Sequence, residues 1–152
     1  MCIDRYRQRR IYLIDFGLSS IYRDGNSAHV ELDFDLESYV GTAVYSSVRA
    51  LQGATQARRD DLESLAYTLI HLRCGSLPWY RRPLDQFPKL KLDMIEGPSH
   101  VSCGDLPPEF HSFLQYAYGL GFDEDPDYEA WRRTFEDVER RLGLENAPLD
   151  WE

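Results

Sequence analysis

"RRDDLESLAYTLIHLRCG", residues 58–75, is the stretch on which the fold turns. Asp60 followed three residues later by Glu63 is an aspartate version of the capping box, and Gly75 supplies a C-terminal stop. Between them Leu62, Leu65, Ala66, Leu69, Ile70 and Leu72 occupy most of the helix circumference. A helix that is apolar nearly all round is normally buried, so this one is expected to be central and to form the spine of the core.

Toward the C-terminus the helical period continues. Pro107-Pro108 suits the first turn of a helix, and Phe110, Phe113, Leu114 and Ala117 follow at i, i+3, i+4 and i+7 before Gly119 and Gly121 end it. A further helix is expected from about Asp127 to Leu142, with Tyr128, Trp131, Phe135, Val138 and Leu142 on one stripe and Gly143 as its cap. "PLDQFPKLKLDMIEGP", residues 83–98, is expected to hold a short helix starting near Pro88.

Toward the N-terminus the character changes near residue 60. Residues 18–47 show no sustained helical period and carry the turn cluster Asp24-Gly25-Asn26-Ser27. Loops of about thirty residues are uncommon in compact domains and are usually functional, so this segment is expected to be a working part. Upstream, Ile11, Leu13 and Phe16 alternate with Tyr12, Ile14 and Asp15, a run that predicts a buried strand. Short strands at the N-terminal end followed by helices give a mainly α (α+β) fold class.

The chain has 152 residues, the size of one domain, enough to bury roughly 68–70% of its unfolded surface. Hydrophobic residues at 43% and aromatics at 13% mark it as globular. A formal net charge of −9 argues against binding to a nucleic-acid backbone, which needs clustered Lys and Arg. The basic run Arg5-Tyr6-Arg7-Gln8-Arg9-Arg10 is expected to be a solvated loop between two strands. No stretch approaches eighteen apolar residues, and the N-terminus has no apolar signal region, so neither a membrane nor a secretory route is expected. Cys2, Cys74 and Cys103 form no C-x-x-C pair; their odd number and wide spacing suit a reducing, intracellular compartment, cytoplasm or nucleus, better than a disulfide framework. His29, His71, His100 and His111 lack zinc-site spacing.

Four segments carry a resemblance: "IDFGLSSIYRD", "GTAVYSSV", "RRDDLESLAYTLIHLRCGSLPW" and "FDEDPDY". In this order and spacing the chain resembles the C-terminal lobe of a protein kinase, specifically of the casein kinase 1 family, from about residue 10 to Trp151. The resemblance implies a partial kinase domain over residues 1–152 with no N-lobe, an activation and substrate-docking segment over 15–48, and a helical core over 60–143. It implies that Asp15 coordinates the Mg²⁺ bridging nucleotide phosphates, with Phe16 packed beneath it and Gly17 permitting the backbone turn. Thr42 is implied to contact the catalytic loop near the acceptor hydroxyl, and Asp61 to accept backbone hydrogen bonds from that loop. Helix capping is an equally good reading of Asp61.

The departures bear on activity. Val44 stands where family members usually carry an arginine that helps bind acidic or phosphorylated substrates. Glu31, Asp33, Asp35 and Glu37 would repel an acidic peptide within a Debye length of about 8 Å. Lys89 and Lys91 fall near the family's other basic contact but are expected to be solvated lysines on a short helix. The sequence contains no Gly-rich loop, no strand lysine with its glutamate partner, and no His-Arg-Asp loop with its Asn; Met1 aligns just after that loop. Phosphoryl transfer depends on positioning, so these 152 residues alone are expected neither to bind Mg-ATP nor to phosphorylate a substrate. Two functions follow: the lobe of a Ser/Thr kinase acting on protein substrates, or a pseudokinase-like remnant that binds an intact kinase, its substrates or a scaffold. In the second case a hydrophobic surface normally covered by the N-lobe would be exposed, which opens a route to self-association.

Overall fold

In the computed structural model, residues 2–3, 11–26, 28–34, 41–97, 106–145 and 147 are described. The architecture is mainly helical: a two-stranded antiparallel sheet, β1 (Cys2–Ile3) and β2 (Ile11–Tyr12), precedes helices α1 (Val48–Leu51), α2 (Arg58–Cys74), α3 (Phe87–Glu96), α4 (Pro108–Gly119) and α5 (Tyr128–Arg141), with one 3₁₀ turn at Leu84–Gln86.

α2 begins two residues before the expected Asp60. Asp60 is its third residue, and its Oδ2 accepts the Ala57 N–H at 2.8 Å, so Asp60 reaches back to the start of the helix and the expected Asp60/Glu63 box does not form. Glu63 is thereby freed for the interior. At the far end Gly75 adopts φ 73° and its N–H closes on His71 O at 2.8 Å, the left-handed stop that a side chain would strain. α4 starts on Pro108, which lacks the N–H that a first turn leaves unpaired anyway. α5 starts where Asp127 accepts the Ala130 N–H at 2.9 Å and is followed by Gly143 at φ 69°.

α2 and α4 form the main helix pair, and α5 packs on α4 through aromatic edges. Phe113 lies 5.0 Å from the Trp131 ring and 5.4 Å from Phe135, and Phe110 lies 5.4 Å from Phe135. Tyr67 and Ile70 of α2, Trp79, Met94 of α3 and Leu114 of α4 are sealed at the centre, each worth about 1.5–3 kcal/mol of burial if apolar throughout.

Several expectations are corrected. α2 is not covered on every side: Leu65, at the edge of a cavity facing α4 and α5, is 45% exposed and Leu72 is 71% exposed. The run from Ile11 to Phe16 is not a buried strand. Only Ile11–Tyr12 pair, with Cys2 opposite Tyr12 and Ile3 opposite Ile11, and Leu13 and Phe16 stand 76% and 63% exposed. A pair of two-residue strands has no second layer to bury its faces. The stripe of α5 is buried only at Val138, while Tyr128 and Leu142 lie half in solvent. Cys74 is disulfide-bonded, which removes the cysteine argument for a reducing compartment. The basic run at 5–10, Ser27, Asp35, Glu37, His100, Cys103 and Trp151 lie outside the described residues.

Candidate functional site

The segment 42–47 is a tight turn with few of its own hydrogen bonds: Thr42 O accepts the N–H groups of Tyr45 at 2.9 Å and Ser46 at 3.2 Å. Three further carbonyls are paired from below. Trp79 Nε1 donates to Val44 O at 2.7 Å, and Lys91 Nζ donates to Ala43 O at 3.4 Å, to Val44 O at 3.2 Å and to Ser46 O. Such pairing is what a buried backbone requires.

The end of the segment is tied to α2. Ser47 Oγ donates to Asp60 Oδ1 at 2.5 Å while accepting the Ala50 N–H at 3.0 Å, which starts α1. Glu63 Oε1 accepts from Val48 N and from the Tyr67 hydroxyl, each at 2.8 Å. Burial pushes the Glu63 carboxyl above the usual range and the Tyr67 hydroxyl well above its own, Glu63 adding to the latter. Tyr45 stacks on His71, and its hydroxyl meets His71 Nδ1 at 2.7 Å.

A second junction holds the long loop. Asp24 Oδ1 accepts the N–H groups of Asn26 and Ala28 at 2.9 Å, and Arg23 and His29 face each other across the hairpin that results. Its Tyr22 ring lies 4.9 Å from the Arg58 guanidinium, and His29 meets Phe122 edge-on at 4.5 Å. Asp125, in the loop before α5, accepts from Arg23 at 3.3 Å and from Arg58, while Arg58 also reaches Asp123 O at 2.8 Å.

The sequence-predicted residues distribute unevenly. Thr42 opens the tied turn and is exposed. Asp61 sits on the outer side of α2; partial desolvation and the neighbouring Asp60 raise its pKa, and no hydrogen bond caps the helix through it. Asp15 takes the left-handed φ of 65°, rare for a residue with a side chain, and its Oδ1 lies 3.4 Å from Gly17 N. The strained position is therefore Asp15 and not Gly17, and Phe16, exposed, does not pack beneath it. No described hydrogen bond joins Asp15 to Thr42 or Asp61.

Among the described residues no three His, Cys, Asp or Glu side chains converge on a metal-sized site. Mg²⁺ in nucleotide sites takes one or two carboxylates plus phosphate oxygens, and Asp15 fits the part of one such ligand and no more. Also among these residues, no helix is long and apolar enough to cross a membrane. An apolar cavity of about 190 Å³ lies between α2, α4 and α5, walled by Leu62, Leu65, Phe113, Trp131 and Phe135. No protein-family model matches the chain.

Lys91 and Glu63 are further residues that the sequence reading placed wrongly. Lys89 is solvated, paired with Asp93 at 2.8 Å, as expected; Lys91 is fully buried. The signal was present: Phe87, Lys91, Met94 and Ile95 stand at i, i+4, i+7 and i+8, which puts the lysine inside the apolar stripe of α3.

Proposed function

We propose that the chain is the C-terminal lobe of a casein kinase 1-like Ser/Thr protein kinase, contributing the activation and docking segments to ATP-dependent phosphoryl transfer onto protein substrates. The observation that carries this reading is the joining of motifs far apart in sequence. Ser47 bonds Asp60, Val48 bonds Glu63, and Arg58 bonds Asp125, so the docking segment, the head of α2 and the "FDEDPDY" loop meet as one unit. The strained φ of Asp15 supports it, since uncommon backbone states persist where function holds them. In this reading Asp15 supplies one oxygen to Mg²⁺ of Mg-ATP, Thr42 borders the acceptor site, and Val44 makes primed acidic substrates poor ones. The protein acts inside the cell, in cytoplasm or nucleus.

The test is a hybrid in which the nucleotide lobe and His-Arg-Asp loop of a casein kinase 1 family member precede residue 11 onward. Peptide phosphorylation is expected, with a loss of about 10²-fold or more in Asp15→Asn. A well-folded but inactive hybrid overturns the assignment. The 152-residue chain itself is expected to show no thermal shift with Mg-ATP; binding saturated a hundredfold over Kd would add about 2.7 kcal/mol and contradict this.

A second reading, a pseudokinase-like protein-binding module, is favoured by the exposure of Leu13, Phe16, Leu18 and Ile21, each above 60%. The 5′ end of the native transcript separates the two. An upstream frame encoding a Gly-rich loop and His-Arg-Asp supports the kinase lobe, whereas initiation at Met1 supports the binding module.

A further inference from the structure

The docking turn presents three carbonyls, of Ala43, Val44 and Ser46, that converge on one atom, Lys91 Nζ. An ammonium carries three N–H donors and no acceptor, which matches three converging carbonyls. The faces of Tyr67 and Trp79 flank it at 4.3 and 4.9 Å, completing a cage suited to a cation. The cage has a weakness. No described carboxylate pairs with Lys91 directly; Glu63 attracts it through space while its Oε1 is taken by Val48 and Tyr67 and its buried Oε2 has no hydrogen-bond partner. An ammonium buried without a direct counter-ion is costly.

We propose that Lys91 is the positioning residue of the docking segment, and that losing one of its protons releases one of the three carbonyls, so that residues 42–47 exchange between a clamped and a loosened turn. A neutral amine has only two N–H donors for three acceptors. Ala43 O, the most distant at 3.4 Å, is the one released. The cation–π attraction to both rings is lost in the same step. Burial lowers the Lys91 pKa to about 7, with Glu63 opposing, so the change falls in the neutral range.

Other titratable and charged groups lie on the elements around α3; α1, which packs on it, contributes Arg49, which donates to Tyr118 O at 2.9 Å. α2 contributes Glu63, Asp60, Tyr67 and, through Tyr45, His71; α4 contributes His111, bonded to Met94 O at 2.9 Å; on α3 itself the Lys89–Asp93 pair lies on the exposed side; the docking turn carries no charge. His71 touches the same turn through the Tyr45 hydroxyl, so the test is made in a His71→Gln background.

The consequence for substrate docking rests on the kinase reading, but the clamp does not. In the 152-residue chain, the Lys91 Nζ and Cε resonances, the Trp79 indole N–H and the carbonyl of Ala43 are followed by NMR from pH 5.5 to 8.5. All are expected to titrate together with a midpoint of about 7, and in Lys91→Met the Trp79 and Ala43 signals are expected to stay flat. A Lys91 that titrates near 10.5, or a turn whose titration survives in Lys91→Met, overturns the proposal. If Lys91→Met does not fold, the Lys91 titration of the parent protein still decides it. In the active hybrid the peptide KM is expected to rise about threefold to tenfold across the midpoint with kcat unchanged, the effect of one hydrogen bond. A KM that ignores the midpoint overturns the link to docking. An inactive hybrid removes the kinase reading and leaves the NMR result to decide the clamp.

Discussion

Ser47 shows how much one side chain can organise. Its hydroxyl donates to a carboxylate thirteen residues away and accepts the N–H that starts α1, all at 1% exposure. Ser47→Ala removes both, and a loss of about 1–2 kcal/mol is expected, read as a lower urea midpoint at unchanged m-value. Lys91 allows a test with a sign. Its pKa is about 7 in the folded protein against 10.5 ordinarily, so between these values the unfolded chain binds more protons. The cost of burying the ammonium is fully present below pH 7 and fades as pH rises toward 10.5. The melting temperature of the wild type relative to Lys91→Met is therefore expected to rise from pH 7 to 9. A constant difference would show that Lys91 stays charged in the fold across this range, its pKa not lowered. Glu63, whose pKa is raised, acts oppositely: its contribution falls as pH climbs and its carboxyl ionises in the interior.

α2 shows what periodicity can and cannot disclose about an element. The apolar pattern located this helix, α3, α4 and α5 to within a few residues, and the glycines at 75 and 143 mark their stops through left-handed φ values. It missed α1, whose four residues are too few to display a period and whose start is set by a tertiary contact, Ser47 with Asp60. It also misjudged burial, because a pattern states which faces are apolar but not whether a neighbour covers each one. The two faces of α2 are thus expected to differ sharply. Ile70→Ala, at a fully sealed position, should cost about 2–5 kcal/mol, whereas Leu72→Gln, 71% exposed, should stay within about 0.5 kcal/mol. Equal costs in chemical denaturation would mean that something covers the outer face of α2 in solution. The candidate site followed the same division. Asp15 and Thr42 were legible as motif positions, but the clamp beneath residues 42–47 was not, since Lys91 approaches it from 45 or more residues away.

At the scale of the molecule, apolar surface and charge act against each other. Leu13, Phe16, Leu18 and Ile21 stand 63–81% exposed within nine residues, on a chain whose formal net charge is −9. The sequence pattern predicts a buried strand at this end, and its side chains stand exposed instead, because the two-stranded sheet has no described layer over it. Exposed apolar residues this close together favour association between copies, while the shared negative charge repels them over a Debye length of about 8 Å at physiological salt. Added salt screens the repulsion and leaves the apolar attraction, so association is expected to strengthen from low to high salt. Sedimentation velocity should show a species larger than a monomer that grows with both protein and salt concentration. The double variant Leu13→Lys with Leu18→Lys is expected to remain monomeric under the same conditions with its unfolding midpoint within about 0.5 kcal/mol of the parent, since neither side chain contributes to the core. Association that survives in the double variant would place the contact elsewhere, with the uncovered Leu65 and Leu72 face of α2 the next surface to change.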